Sequence, residues 1–118
     1  NTVMNALLNY NEGEYDRAVE LYNEVIEKNA SFVQAYIGLG KICQRNQQYE
    51  EALEYFEEAI ALNPNYTLAY FNAGRASQEM GFTNDAANYY QMAIDLNRIT
   101  EELEEEDIRA RLHSLFEL

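Results

Sequence analysis

Tryptophan is absent from these 118 residues, and proline, cysteine and histidine occur once each. With one proline and five glycines there are few breakers, which disfavours a loop-rich β fold and favours helix. A lone cysteine, Cys43, excludes an intrachain disulfide and favours a reducing compartment such as the cytoplasm. Basic residues are scarce, 8 against 21 acidic, for a net charge of -13. Such a chain has no broad surface to neutralise nucleic-acid phosphates or to dock on an anionic membrane. No apolar run approaches the roughly 20 residues that span a bilayer. The opening segment NTVMNALLNY lacks a basic stretch followed by an apolar one and a small-residue cleavage site, so it does not read as a secretory leader. It does not begin with methionine either, and reads as an excised piece of a longer protein or a processed product.

What is present is repetition. Ala18, Ala52 and Ala86 stand 34 residues apart, as do Tyr22, Phe56 and Tyr90, then Ile26, Ile60 and Ile94, then Asn29, Asn63 and Asn97. A period of this length belongs to stacked supersecondary units, each unable to bury its apolar face alone. Hydrophobic residues make up 47% of the chain, enough for a continuous core.

Each unit reads as two helices. In residues 33–66, Tyr36, Leu39, Gly40 and Cys43 share one helical face, Gln47 and Gln48 mark a turn, and Tyr49, Ala52, Leu53, Phe56, Ala59 and Ile60 share the face of a second helix. Pro64 cannot continue that helix. Residues 67–100 copy the pattern with Tyr70, Ala73, Gly74 and Ser77, a turn at Gly81, then Ala86, Tyr90, Ala93 and Ile94. Residues 1–32 are degenerate at their start and regular from Gly13. The expectation is an all-α superhelix in a single domain, with helices near 2–10, 14–28, 33–45, 49–62, 67–79 and 83–96. After residue 100 the period ends. Ile108, Leu112, Leu115 and Phe116 form an apolar stripe, Thr100 is a candidate N-cap, and the acids at 101–107 suit a helix N-terminus. This predicts a capping helix over about 100–117; the rival is a helix that engages a partner.

The spacing Tyr36-x2-Leu39-Gly40-x2-Cys43, then Ala52-x3-Phe56, then Pro64 resembles the tetratricopeptide repeat, with Tyr in place of the usual Trp and Cys in place of the usual Tyr. The third unit matches at Tyr70, Gly74, Ala86 and Tyr90, with Arg98 at the Pro position; the first matches mainly over Gly13 to Ile26. The resemblance implies that Gly40, Gly74 and the repeated alanines let helices approach closely, and that the aromatics at 22, 56 and 90 fill the layers between them.

It also implies that the first helix of each unit lines a concave groove. The groove positions are then Val3, Met4, Leu7 and Tyr10; Gln34, Ile37, Gly38, Lys41, Gln44 and Arg45; and Leu68, Phe71, Asn72, Arg75, Gln78 and Glu79. Leu7, Ile37, Lys41, Arg45, Leu68, Phe71, Asn72 and Arg75 are the candidate binding residues. Basic and apolar side chains on so acidic a chain point to a protein or peptide partner carrying acidic and apolar residues. The alternative for Lys41, Arg45 and Arg75 is that they pair with nearby glutamates and solvate the face. Chaperone-binding members of the family clamp a C-terminal carboxylate with Lys and Asn in one first helix, Asn in the next, and Lys and Arg in the third; the matching positions here are Val3, Leu7, Gly38, Leu68 and Asn72, and none carries the residue its place requires. The function expected is non-enzymatic protein binding, with self-association through the terminal helices as the alternative.

Neither a cofactor nor a metal is expected. No phosphate loop or dinucleotide fingerprint occurs, and Glu104-Glu105-Glu106-Asp107 lacks the glycine-centred spacing of a calcium loop. Cys43 sits at a core position and should be inert. Two sequons, Asn29-Ala30-Ser31 and Asn65-Tyr66-Thr67, fall at repeat junctions and acquire meaning only in a secretory setting.

Overall fold

The computed structural model describes residues 1–100 and 105–116, the side chains of 98–107 excepted. Seven helices follow one another: α1 (Thr2–Asn11), α2 (Tyr15–Lys28), α3 (Val33–Arg45), α4 (Tyr49–Leu62), α5 (Thr67–Glu79), α6 (Thr83–Thr100) and α7 (Glu105–Ser114). No strand occurs among the described residues, and no helix there is long and apolar enough to cross a membrane.

Helices α1 and α2, α3 and α4, and α5 and α6 form antiparallel pairs, and α2 and α4 also pack against the first helix of the following pair. The first helices α1, α3 and α5 touch one another in sequence, forming a layer that the second helices flank. The result is an all-α superhelix.

The core is three linked clusters, one per pair. Phe56 lies against Gly40 and Tyr90 against Gly74: a Cβ on either glycine would come within 2.5 or 2.6 Å of a ring carbon. These glycines are therefore spacers that admit a ring onto the helix backbone. In the first pair the equivalent residue is Ala6, and the Tyr22 ring instead meets Gly38 of the next pair, 2.3 Å from where its Cβ would stand. Phe32 and Tyr66, each just ahead of a first helix, pack into the first and second clusters and tie neighbouring pairs together.

The turns share one backbone conformation. Gly13 and Gly81 take φ of +82° and +81°, in the left-handed region where glycine carries no steric penalty. Gln47, at the same place in the second pair, takes φ 62° with a side chain attached.

The largest departure from the expected boundaries is α6, which runs on to Thr100 where 96 was expected. Helices α2 and α4 stop because Asn29 and Asn63 leave the helix into extended backbone, and each side-chain oxygen accepts a bond from the amide two residues on. The Tyr36 hydroxyl then donates to the Ala30 carbonyl and the Tyr70 hydroxyl to that of Pro64, pinning both junctions. One period later, Phe32 and Tyr66 are replaced by Thr100, and Tyr36 and Tyr70 by Glu104. With no aromatic anchor to draw the chain aside, α6 continues. Thr100 is accordingly helical where an N-cap was expected, and the described part of the terminal helix is Glu105–Ser114. The acids at 101–104 lie outside the described residues.

Helix α7 packs on α6. Ile108 is 1% exposed and joins Tyr70, Ala86, Tyr90 and Ile94, with Leu112 and Leu115 alongside. Arg111 Nε donates to the Tyr90 hydroxyl at 3.0 Å, and that hydroxyl donates to Gln78 Oε1 at 2.7 Å. The Phe116 of the expected stripe is 60% exposed and outside the cluster.

Candidate functional site

The inner layer carries two adjoining hollows. The first, about 220 Å³, opens among the C-terminal halves of α1, α3 and α5, with Tyr10, Lys41, Arg45, Asn72, Arg75 and Glu79 around it. The second, about 240 Å³, is more apolar and lies toward the N-terminal ends of α3 and α5, between Val3, Leu7, Ile37, Gly38, Leu68 and Tyr66. Tyr10 and Lys41 line both, so the two are continuous.

The three cations are held by rings. Lys41 Nζ lies 5.7 Å from the centre of the Tyr10 ring, the Arg45 guanidinium 5.0 Å from that of Tyr15, and the Arg75 guanidinium 6.0 Å from that of Phe71. Tyr10 and Tyr15 meet edge to face at 5.5 Å, so α1 and α2 together back two cations of α3. Phe71 in turn leans on Tyr90 at 5.8 Å. None of Lys41, Arg45 and Arg75 makes an ion pair among the described residues, where the pairing found is Arg17 with Glu20 on the outer surface. Pairing of the three with nearby glutamates is thus not what the structure contains. Arg75 Nε is buried with no hydrogen-bond partner among the described residues.

The electrostatics follow from this crowding. Burial, and then the neighbouring Arg75 charge, lower the Lys41 pKa. Burial raises the Tyr10 phenol, while Arg45 and Arg75 pull the other way. Cys43 is half-buried against the second cluster, and burial followed by Glu51 raises its pKa, which keeps it a thiol.

Seven of the eight candidate residues line the hollows: Leu7, Ile37 and Leu68 the apolar one, Arg45, Asn72 and Arg75 the cationic one, with Lys41 in both. Phe71 lines neither and serves as the platform under Arg75. Two of these residues are nearly buried. Ile37 is 6% exposed, packed with Phe56 and Ala69 because α5 covers its flank. Asn72 is 3% exposed, and its side-chain amide donates back to the Leu68 carbonyl at 2.9 Å. Each offers an edge, not a face. Met4 stands outside both hollows, 53% exposed. The ring platforms were missed in the sequence; the signal was Tyr10 and Tyr15, aromatic where the third unit has Gln78 and Thr83.

Two family models described as tetratricopeptide repeat match the chain, over residues 33–66 and 6–31. The chain belongs to the tetratricopeptide repeat family. Among solved structures, the Yersinia enterocolitica type III secretion translocator chaperone SycD superposes with a TM-score of 0.90 at 17% identity, covering 97% of this chain and 80% of that one. The first repeat domain of Spaghetti (RPAP3), bound to the HSP90 peptide SRMEEVD, gives 0.85 at 20% identity, with 95% and 85% covered. The second such domain of human RPAP3, in complex with the HSP70 peptide SGPTIEEVD, gives 0.86 at 21%, with 99% and 93% covered. At these identities the likeness is one of fold. No curated protein matches the sequence. Among the described residues no group of three or more His, Cys, Asp or Glu could hold a metal ion.

Proposed function

We infer that this chain is a protein-binding module, since tetratricopeptide repeats mediate protein–protein interactions and solved structures of similar fold hold peptides. We propose that the inner layer of α1, α3 and α5 holds a partner segment that sets an apolar residue beside an acidic one. The observation that carries this reading is the adjacency of the two hollows. Three cations without carboxylate partners stand next to an apolar depression, and Tyr10 and Lys41 bridge the two. On a chain of net charge -13, unpaired cations gathered on one face favour an acidic ligand there, while the apolar hollow supplies most of the affinity. We further propose that recognition does not use a carboxylate clamp. The positions that would form one are Val3, Leu7, Gly38, Leu68 and Asn72, and Gly38 is filled from behind by the Tyr22 ring. No catalytic role is proposed.

Peptide-display selection against the chain, followed by calorimetric titration of the selected peptides, tests this. Peptides with acidic residues next to an apolar one should emerge. The double variant Lys41→Glu/Arg75→Glu should bind them at least tenfold more weakly, about 1.4 kcal/mol. Unchanged affinity removes the inner face from the reading. Amidating the peptide C-terminus should leave affinity as it was; loss of binding on amidation would establish a clamp.

A second reading, self-association, draws on α1. That helix carries no charged residue and leaves Met4 and Leu8 about half exposed. In α3 the residues one period on, Gly38 and Ile42, are buried under α2. Light scattering across a concentration series separates the readings: a monomer at every concentration removes the second.

A further inference from the structure

The ligand chemistry of the cationic hollow can be specified further, on the reading that the inner layer holds a partner segment. We propose that the hollow formed by Lys41, Arg45 and Arg75 receives a phosphomonoester dianion, carried on a phosphorylated side chain of the partner.

Charge comes first. Three cations and one carboxylate, Glu79, surround the hollow, so it presents two uncompensated positive charges. A single carboxylate leaves one of them unmatched, whereas a phosphomonoester carries about -1.5 to -2 at neutral pH. Burial makes the mismatch matter. Lys41 and Arg75 are only partly solvated and repel each other, so an arriving dianion offsets that repulsion more fully than a lone carboxylate does.

Donor geometry comes second. A guanidinium that rests its face on a ring keeps its N–H groups in plane and available. Arg45 and Arg75 are both ring-backed, from different helices, and Arg75 Nε is buried with its donor unspent. A phosphoryl group offers three acceptor oxygens to donors arriving from separate directions, where a carboxylate offers two in one plane. The ring platforms of Tyr10, Tyr15 and Phe71 also hold the cations in place before a ligand arrives, which lowers the entropic cost of ordering long side chains around it.

The source of the phosphate follows from the rest of the surface. With 21 acidic residues, the chain repels nucleic acid and anionic bilayers, which favours a phosphate carried on a protein segment short enough to enter between α1 and α5. The neighbouring apolar hollow then takes a side chain next to the phosphorylated one.

The arginine Nε–H signals of the 15N-labelled chain give a direct test. Phenyl phosphate and phenylacetate, matched in their aromatic part, are titrated separately. The phosphate should shift the Arg75 signal saturably, with an apparent affinity at least tenfold above that of phenylacetate. Arg75→Gln, checked for an unchanged melting temperature, should abolish that preference, and Arg17→Gln on the outer surface should keep it. Equal affinity for the two probes, or a preference that survives Arg75→Gln, overturns the dianion assignment. If selected peptides still bind and still respond to Lys41→Glu/Arg75→Glu, the groove reading stands without it. Co-sedimentation with phosphoinositide vesicles, lost in Arg75→Gln, would also overturn the assignment to a protein-borne phosphate.

Discussion

Gly74 and Arg75 are neighbours on one helix and obey opposite rules. Gly74 has a glycine one period earlier, lies under the Tyr90 ring and has no room for a methyl group. Arg75 has Lys41 one period earlier and Leu7 before that, and it lies against a hollow. Where the three units agree, one packing problem has been solved the same way each time. Where they differ, packing has released the position, and the side chain answers to something else. A ring needs a flat, empty backbone whichever repeat it sits in. A hollow between first helices needs only that its lining not collapse.

The sharpest test replaces these neighbours one at a time. Gly74→Ala puts a Cβ within 2.6 Å of the Tyr90 ring, which has no free space to move into, and should cost about 1–3 kcal/mol in denaturant unfolding. Arg75→Gln should change stability by no more than about 0.5 kcal/mol. If the two variants lose stability equally, the division between packing and recognition positions fails.

Tyr90→Phe probes the one place where the two classes are joined. It keeps the ring over Gly74 and removes the hydroxyl that links Arg111 of α7 to Gln78 of α5. About 1–2 kcal/mol should be lost, since a partly buried guanidinium and an amide oxygen give up a partner each. Hydrogen exchange should rise first in α7, because Arg111 anchors that helix beside Ile108. A uniform rise across all helices would show instead that the hydroxyl serves the whole stack.

Much of this division was legible in the chain itself. The repeated glycines, alanines and aromatics marked the core because the same spacing recurred. The overrun of α6 went unread, although its signal was present: Thr100 and Glu104 stand where aromatics pin the earlier junctions. The burial of Ile37 and Asn72 was not legible. Helical periodicity places a residue on a face, but the next repeat decides whether that face is covered, and α5 arrives 30 or more residues later. The platforms under Lys41 and Arg45 were hidden for the same reason, since the rings belong to α1 and the start of α2. Contacts between units depend on the superhelical rise, which no single repeat encodes.

Alkaline pH sets the tyrosines against the inner-face lysine by their titrations. Burial, followed by Glu57, pushes the Tyr89 phenol up to about 12, and Tyr10, Tyr22, Tyr55 and Tyr90 are also raised, chiefly by burial. A phenol raised in the fold keeps its proton after the unfolded chain has lost it. Between the unfolded value near 10 and the folded value, the native state binds more protons, so stability falls as pH rises. Lys41, lowered in the fold, acts in the opposite sense, and one lysine is outweighed by five tyrosines. The unfolding midpoint should therefore drop above about pH 10, in step with the 295 nm absorbance of ionised tyrosine. A midpoint that rises there would mean that the inner-face cation dominates.

The smallest effect tests a position that fits neither class. Residues 13, 47 and 81 share one backbone conformation, but only the outer two are glycine. Identical geometry with different side chains means that the turn demands a conformation and no contact; nothing lies within 4 Å of the missing Cβ at either glycine. Holding a glutamine in the left-handed region costs about 1–2 kcal/mol, and a glycine there gives back about 0.5–1 kcal/mol in chain entropy. Gln47→Gly should thus stabilise by roughly 0.5–1 kcal/mol, raising the melting temperature by about 2–4 °C. Gly81→Gln should lower it by a similar amount. Peptide affinity should be unchanged in both, because the turns lie outside both hollows. A destabilised Gln47→Gly would show that the glutamine side chain makes an interaction that outweighs its strain, and the second turn would then join the positions where difference between repeats carries a role.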